Sequence, residues 1–269
     1  MANNNDIIPA VLGLEAFQFE TLHKVEVGDH KVKLPFLDMD NLEEEPEVYL
    51  LNWCDYVFSK LSVTEADDTS DYYTCVRSLL TGGALDHWQD IFQAIPANAD
   101  LDLPRLKDCM KELVAFYVEE DDRTRQLDYL RDSSQSHKPS NMTVATYKER
   151  LDKVHRLATT WMPGATVLGA DEMKLIFHHG MPRAWQNEYV KMKGSASKPT
   201  NTLADMVTVY KNLESVSLRQ TLLARRQQRR DQKATKRVAG HDGTTARASN
   251  KKHRAAQQAV TRPADNNYC

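Results

Sequence analysis

The sequence predicts an all-α protein with two small helical lobes, a short N-terminal β-hairpin and a disordered basic tail. Three observations support this fold class. Apolar residues recur at three-to-four spacing from residue 46 onward, as on the buried faces of helices. A single early stretch alternates apolar and charged residues as a strand does. Ten glycines and ten prolines in 269 residues are too few for the many turns of an all-β fold.

The predicted organisation has five parts, defined by changes in composition and charge along the chain. They are an N-terminal arm (1–22), a first helical domain with the hairpin (23–132), a linker (133–142), a second helical domain (143–218) and a basic disordered tail (219–269).

The predicted hairpin covers residues 25–34. Apolar and charged side chains alternate on both sides of Gly28-Asp29, which is a pair of residues typical of a tight two-residue turn. Each flanking run is only about five residues long, so the sheet is expected to be small.

Five helices are predicted in the first lobe, and their limits come from capping residues and breakers. They run from Pro46 to about Leu61, from about Asp68 to Leu80, from Ala84 to just before Pro96, from Asp102 to about Tyr117, and from Asp122 to about Arg131. Thr81-Gly82-Gly83 is expected to interrupt the helical pattern between the second helix and the third.

The second lobe follows a polar stretch of small residues, 133–140, which is the expected linker. Its predicted helices begin at three capping residues and at one proline, and each carries an apolar stripe. Thr143 caps the first helix, Asp171 the second (Glu172–His179), Pro182 opens the third and Thr202 caps the last.

Charge is divided unevenly along the chain. The net charge is −3, but residues 219–269 hold 13 of the 35 basic residues and 3 of the 38 acidic ones, a balance of +10. Residues 1–218 therefore carry −13. Residues 231–267 have almost no large apolar residue, which predicts disorder, and the charge of the tail predicts a polyanionic partner.

The predicted RNA-binding residues are the basic side chains of this tail. They are Arg219, Arg225, Arg226, Arg229, Arg230, Lys233, Lys236, Arg237, Lys251, Lys252 and Arg254, with Arg247 and Arg262 available in addition. Binding through such residues is expected to depend on salt and to show little sequence preference. Tyr268 is the only aromatic residue of the tail, which argues against stacked bases.

The sequence shows no catalytic or cofactor pattern, so we predict a protein that is not an enzyme and takes no cofactor. It contains no P-loop, no dinucleotide-binding glycine pattern and no aspartic-protease triplet. His178 and His179 are adjacent, so they point in different directions on a helix and do not form a metal pair. No apolar run is long enough to span a bilayer, and the N-terminal residues do not resemble a signal peptide.

Cysteines and tryptophans are assigned to structural roles. Cys54, Cys75 and Cys109 are expected to be small buried hydrophobic residues. The four tryptophans (53, 88, 161 and 185) are expected to anchor the core. For Cys269 three interpretations stay open: a plain terminus, a free thiol, or the first ligand of a truncated zinc knuckle.

Four local stretches resemble the Gag polyprotein of long-terminal-repeat retrotransposons. Leu34-Pro35-Phe36 with Tyr49-Leu50-Leu51-Asn52-Trp53 is similar to the opening of retrotransposon Gag domains. Residues 79–88 resemble the helix junction of that family, residues 143–151 the segment that opens its second lobe, and residues 177–182 its later turn. Met142 departs from the pattern, because the family often has glutamate there.

The resemblance implies that residues 23–132 form a capsid N-terminal-like domain, residues 143–218 a capsid C-terminal-like domain, and residues 219–269 a nucleocapsid-like tail. It also implies the core and turn residues of the fold and a structural function. These residues are Trp53, Gly82, Trp88, Tyr147, Arg150, Gly180 and Trp185. It implies a capsid protein that assembles with copies of itself, as pentamers and hexamers in a shell, and packages RNA through its tail. Such a protein is expected in the cytoplasm, in virus-like particles, without a membrane or small-molecule partner. The alternative is a monomeric or dimeric host adaptor or RNA-binding regulator derived from a Gag.

Overall fold

The described part of the chain is mostly helical and holds one antiparallel hairpin. The computed structural model of the protein describes residues 12–42, 45–66 and 68–258, and the side chains among them as far as residue 232. The prediction of a helical fold with a short N-terminal hairpin is therefore confirmed at this level. The division of residues 23–218 into two lobes stays a prediction.

The elements follow one another in a simple order. The strands are β1 (His23–Val27) and β2 (His30–Leu34), and a single 3-10 turn covers Met39–Asn41. The helices are α1 (Pro46–Leu61), α2 (Ser70–Leu79), α3 (Gly82–Ala94), α4 (Leu103–Tyr117), α5 (Glu120–Arg131), α6 (Val144–Thr160), α7 (Ala170–His179), α8 (Arg183–Lys193) and α9 (Leu203–Gln258). By contacts the chain divides into two units, Met1–Lys211 and Asn212–Cys269.

Three of the four predicted capping residues, Asp102, Thr143 and Thr202, cap the starts of α4, α6 and α9. The Asp102 carboxylate accepts a hydrogen bond from the amide of Arg105 at 2.8 Å, and the Thr143 hydroxyl accepts one from Thr146 at 3.1 Å. The prediction that Asp171 caps α7 is wrong, because the helix begins at Ala170 and Gly169 is its N-cap. Asp171 lies in the first turn instead, where its charge still favours the helix dipole.

The extended segment that follows β2 is fixed to α1 by two side-chain donors. The indole Nε1 of Trp53 donates to the carbonyl oxygen of Pro35 at 2.8 Å, and the Tyr49 hydroxyl donates to that of Phe36 at 2.9 Å. The Trp53 side chain is fully buried. The segment has no strand partner at these positions, so the helix supplies the hydrogen bonds that its carbonyl groups need.

A single parallel bridge then ties the same segment to the junction of α2 and α3. Leu37 pairs with Leu80, and its amide donates to the carbonyl oxygen of Leu79 at 2.8 Å. The amide of Thr81 in turn donates to the carbonyl oxygen of Leu37 at 3.1 Å.

Gly82 is required at the start of α3 by its backbone conformation and by its surroundings. Its φ of +55° lies in the left-handed region, and an added Cβ would collide with the Asp40 carboxylate. That carboxylate accepts a hydrogen bond from the amide of Gly83 at 2.8 Å and so satisfies a free amide of the first turn. The predicted interruption at residues 81–83 is thus a helix start that is capped from a distant residue.

The segment 133–142 is packed against the helices that follow it. Ser136 is fully buried, and its carbonyl oxygen accepts a hydrogen bond from the Tyr147 hydroxyl at 2.7 Å. The amide of Lys138 donates to the carbonyl oxygen of Gly180 at 2.8 Å, and its ammonium lies 5.4 Å from the Trp185 ring centre. Small polar residues here permit close approach to α6 and to the turn after α7, so this predicted linker is packed against the helices that follow it.

Several side chains also join the helices before this segment to those after it. Arg123 of α5 is only 5 % exposed, and its guanidinium donates to the carbonyl oxygens of Met162, Gly164 and Thr166 beyond α6. On the surface, Arg156 of α6 contacts Asp55 of α1 at 2.6 Å. The two helical groups therefore share one compact unit.

The predicted disorder from residue 219 differs from the structure, in which α9 continues as far as Gln258. The physical reason is local, because the segment is rich in arginine, lysine, glutamine and alanine, which are among the best helix formers. Low hydrophobicity excludes a core, but an α-helix satisfies its own backbone hydrogen bonds without one.

We predict that Gly180→Ala destabilises the protein by about 2 kcal/mol, because an added Cβ would collide with the Tyr147 hydroxyl oxygen and lie 2.8 Å from Cζ. Urea denaturation followed by circular dichroism measures the change. Gly169→Ala is the matched control, since no atom lies within 4 Å of an added Cβ there. A loss of stability in the control as large as in Gly180→Ala would contradict the proposed collision.

Candidate nucleic-acid interface

The long basic helix begins on a well-formed anchor. The amide of Asp205 donates to the Thr202 hydroxyl at 3.1 Å, which caps the helix as predicted. Met206 and Tyr210, one turn apart, are fully buried. The Tyr210 ring stacks on that of Tyr189 with 5.3 Å between centroids.

A buried histidine completes this anchor. The hydroxyl oxygen of Tyr210 lies 2.6 Å from Nδ1 of His178, whose side chain is 6 % exposed. Burial lowers the pKa of His178 to about 4, and the neighbouring His179 adds a smaller contribution. The ring is therefore neutral at physiological pH, and its Nδ1 shares a hydrogen bond with the Tyr210 hydroxyl.

Five arginines occupy a short stretch of α9 in the second unit. Arg219, Arg225, Arg226, Arg229 and Arg230 are all exposed, and none forms a hydrogen bond or an ion pair with any described residue. They span about 17 Å of helix at 1.5 Å per residue. This is a dense set of cations whose charge is not used by the fold.

The helical phase of these arginines places them on one side, which we call the arginine face. At 100° per residue the five positions fall within about 140° of the helix circumference. Asp231 lies on the opposite side, where its carboxylate accepts a hydrogen bond from the side-chain Nε2 of Gln227 at 3.0 Å. The acidic residue thus does not neutralise the arginine face.

For most of the other predicted RNA-binding positions the structure describes the backbone but not the side chain. Lys233, Lys236, Arg237, Arg247, Lys251, Lys252 and Arg254 lie on the helical backbone of α9, beyond the side chains that the structure describes. Counted at 100° per residue, these positions and the arginine face fall within about half of the helix circumference. Arg262 and Cys269 lie outside the described residues.

The prediction of a disordered tail did not include this one-sided arrangement, because a disordered chain has no faces. The signal was present in the spacing, since residues 219, 226, 230, 233 and 237 follow one another at intervals of seven, four, three and four. Such spacing places residues on one side of a helix.

The residues implied by the family resemblance all belong to the first unit. Trp53, Gly82 and Trp88 belong to the α1–α3 region, while Tyr147, Gly180 and Trp185 meet around the segment 133–142. Trp185 is only half-buried, unlike the other three tryptophans. Arg150 joins neither group and lines a cavity of about 550 Å³ beside Lys153.

The described part of the chain lacks the features of a metal site and of a membrane-spanning helix. It contains no group of three His, Cys, Asp or Glu side chains that is arranged to hold a metal ion. No described helix combines the length and hydrophobicity that crossing a bilayer requires. Cys54, Cys75 and Cys109 are free and buried, and burial raises the pKa of each thiol.

Comparison with protein-family models, with curated proteins and with solved structures finds no match for this chain.

We predict that acidification weakens the anchor of α9. Because the folded pKa of His178 lies below the ordinary value of 6.5, the unfolded state binds the extra proton, so stability is full above pH 6.5 and falls toward pH 4. The loss attributable to His178 reaches up to about 3 kcal/mol at pH 4. Urea denaturation at several pH values measures it.

The control for this prediction is His178→Gln, which keeps a hydrogen-bond acceptor near Tyr210 but does not titrate. The variant should start less stable at pH 7 and lose less stability than the original chain between pH 6.5 and pH 4. If the two chains lose the same free energy of unfolding between pH 6.5 and pH 4, protonation of His178 does not cause the loss.

Proposed function

We propose that this chain is a structural, Gag-like capsid protein that assembles with copies of itself into shells and packages RNA through α9. The observation that carries the RNA-binding part is the arginine face, with five exposed guanidinium groups that have no partner among the described residues. Guanidinium groups bind phosphate oxygens in a bidentate geometry, and the release of condensed counterions drives the association.

The charge of the remaining chain supports the same assignment. Residues 1–218 carry a net charge of −13, so they repel a free polyanion and leave the tail as the region that attracts it. The contacts would be made to phosphates and not to base edges, so the expected binding has little sequence preference.

Self-assembly is supported by the resemblance and by the way its residues are used. Tyr147 and Gly180 meet in a buried contact, and Trp53 fixes the segment after the hairpin, so the resembling stretches encode packing and not chemistry. A shell needs repeated contacts between identical small domains, and heterologous interfaces close into rings when the rotation between copies permits.

We predict that replacing Arg225, Arg226, Arg229 and Arg230 by glutamine weakens binding to single-stranded RNA by about tenfold or more at moderate salt. The slope of log K against log salt should fall by about three, because each lost phosphate contact removes about 0.7. Fluorescence anisotropy with a labelled oligonucleotide at several salt concentrations measures both quantities.

The matched control replaces the same four residues by lysine. Lysine keeps the charge and the helix propensity, so the salt slope should stay within about one of the original. If the lysine variant loses as much affinity as the glutamine variant, a specific guanidinium geometry and not charge carries the binding. If neither variant changes binding, α9 is not the RNA site.

Negative-stain microscopy of the purified chain, with and without RNA, tests the shell itself. Closed particles at low or moderate salt are the expected result. Monomers or dimers under every condition would overturn the capsid proposal and favour the adaptor or RNA-binding regulator.

A further inference from the structure

The N-terminal residues 12–22, which we call the arm, lie as an extended peptide on the first unit. Burial alternates along their first part, with Leu12 and Leu14 buried and Gly13 and Glu15 exposed. This period of two is typical of a strand at a surface, although the arm has no strand beside it.

One buried side chain takes the place of the missing strand. Gln126 of α5 is fully buried, and its Oε1 accepts a hydrogen bond from the amide of Leu12 at 2.6 Å. Its Nε2 donates to the carbonyl oxygen of the same residue at 2.8 Å. This pair of bonds reproduces the pairing of a β-ladder, so Gln126 holds the backbone of an extended chain.

An aromatic cluster holds the arm at a second point. Phe19 lies edge-on to Tyr49 of α1 at 5.3 Å between centroids and contacts Tyr56 at the same distance. Phe17 packs against Phe19 at 5.0 Å, and the ammonium of Lys153 lies 6.0 Å from the centre of its ring. The arm therefore has two separate attachment points.

The space around the arm is incompletely filled. A cavity of about 550 Å³ is lined by residues 12–17 of the arm, and two more, of about 700 and 400 Å³, also reach Phe17. Asn52, only 4 % exposed, lines the first cavity, and its side-chain oxygen has no partner. Between its two attachment points the arm is held by the buried Leu14, whose backbone hydrogen-bonds to the Tyr129 side chain. Protein interiors are normally close-packed, so the cavities around Phe17 leave this part of the arm with fewer contacts than a core segment has.

The connection from the arm to the hairpin is short and exposed. Glu20, Thr21 and Leu22 are all exposed, and β1 begins at the next residue. A backbone rotation in these three residues would move the arm away from α1 and α5 without changing any helix of the first unit.

We infer that the arm exchanges between copies of this chain, each copy placing residues 12–19 in the groove formed by Gln126, Tyr49 and Tyr56 of another. The contacts made within one chain and between two chains are the same, so the exchange costs little enthalpy. It is favoured when the local concentration of neighbouring copies is high. The inference rests on the proposed self-assembly, which supplies that concentration.

A cross-linking experiment between two different full-length chains tests the exchange. One chain carries Gly13→Cys and the other Gln135→Cys, because both positions are exposed and line the same cavity. Both chains also carry Cys269→Ser, and Cys54, Cys75 and Cys109 are buried. After mixing at high concentration, a short bismaleimide can join these two cysteines only across two chains.

We expect a covalent heterodimer on denaturing gels, at least about tenfold above a control mixture in which Asn98→Cys, an exposed position away from the groove, replaces Gln135→Cys. Adding Phe17→Ala and Phe19→Ala to the Gly13→Cys chain should reduce the heterodimer severalfold, because these changes remove one attachment point without touching the body.

Microscopy of the same samples separates this inference from the proposed function. Particles without heterodimer above the control overturn the exchange and leave the capsid proposal standing. Heterodimer without particles supports the exchange and counts against the shell. A heterodimer yield that is unaffected by the two alanine substitutions would also overturn the exchange, because the aromatic attachment would then play no part.

Discussion

The structure depends on one constraint: buried peptide groups outside helices need hydrogen bonds, and the described chain has only one small sheet to supply them. Side chains from neighbouring helices meet that need. Trp53 donates to Pro35, Tyr147 to Ser136, and Arg123 to three carbonyl groups of the α6–α7 connection. Each of these donors is buried, so losing one would leave an unsatisfied carbonyl group at a cost of about 1–3 kcal/mol.

This constraint separates the residues of the fold from those of the proposed function. The resembling stretches contain the large hydrogen-bond donors Trp53 and Tyr147, and they contain Gly180, which permits close approach to Tyr147. All three residues are buried in packing contacts and are not available to bind a ligand. The arginine face follows the opposite rule. A helix satisfies its own peptide groups, so α9 needs no donor from elsewhere, and its arginines remain available for a ligand.

Local signals in the sequence predicted the local features of the structure. The hairpin, the caps at Asp102 and Thr143 and the α9 start at Thr202 depend on a few adjacent residues, and they were predicted correctly. The packing of residues 133–142 was not predictable, because it depends on Tyr147 and Gly180 reaching back from later helices. The one-sided arginine face was not predicted, because the tail was expected to be disordered. That expectation followed from the low hydrophobicity of the tail and did not take into account the high helix propensity of arginine and glutamine.

Assembly into shells of varied curvature would require the two helical groups to tilt, and their contacts differ in what a tilt would cost. The ion pair between Arg131 and Glu172 is partly exposed on both sides, and such pairs contribute less than about 1 kcal/mol. Arg123 is buried with three acceptors, so moving it would expose or orphan several groups at once. Displacing Arg123 would therefore cost more than breaking the exposed pair, and a tilt would also have to keep or replace the contact between the Phe58 and Trp161 rings. The packed segment 133–142 would travel with the second group, because its hydrogen bonds are made to α6 and to the turn after α7.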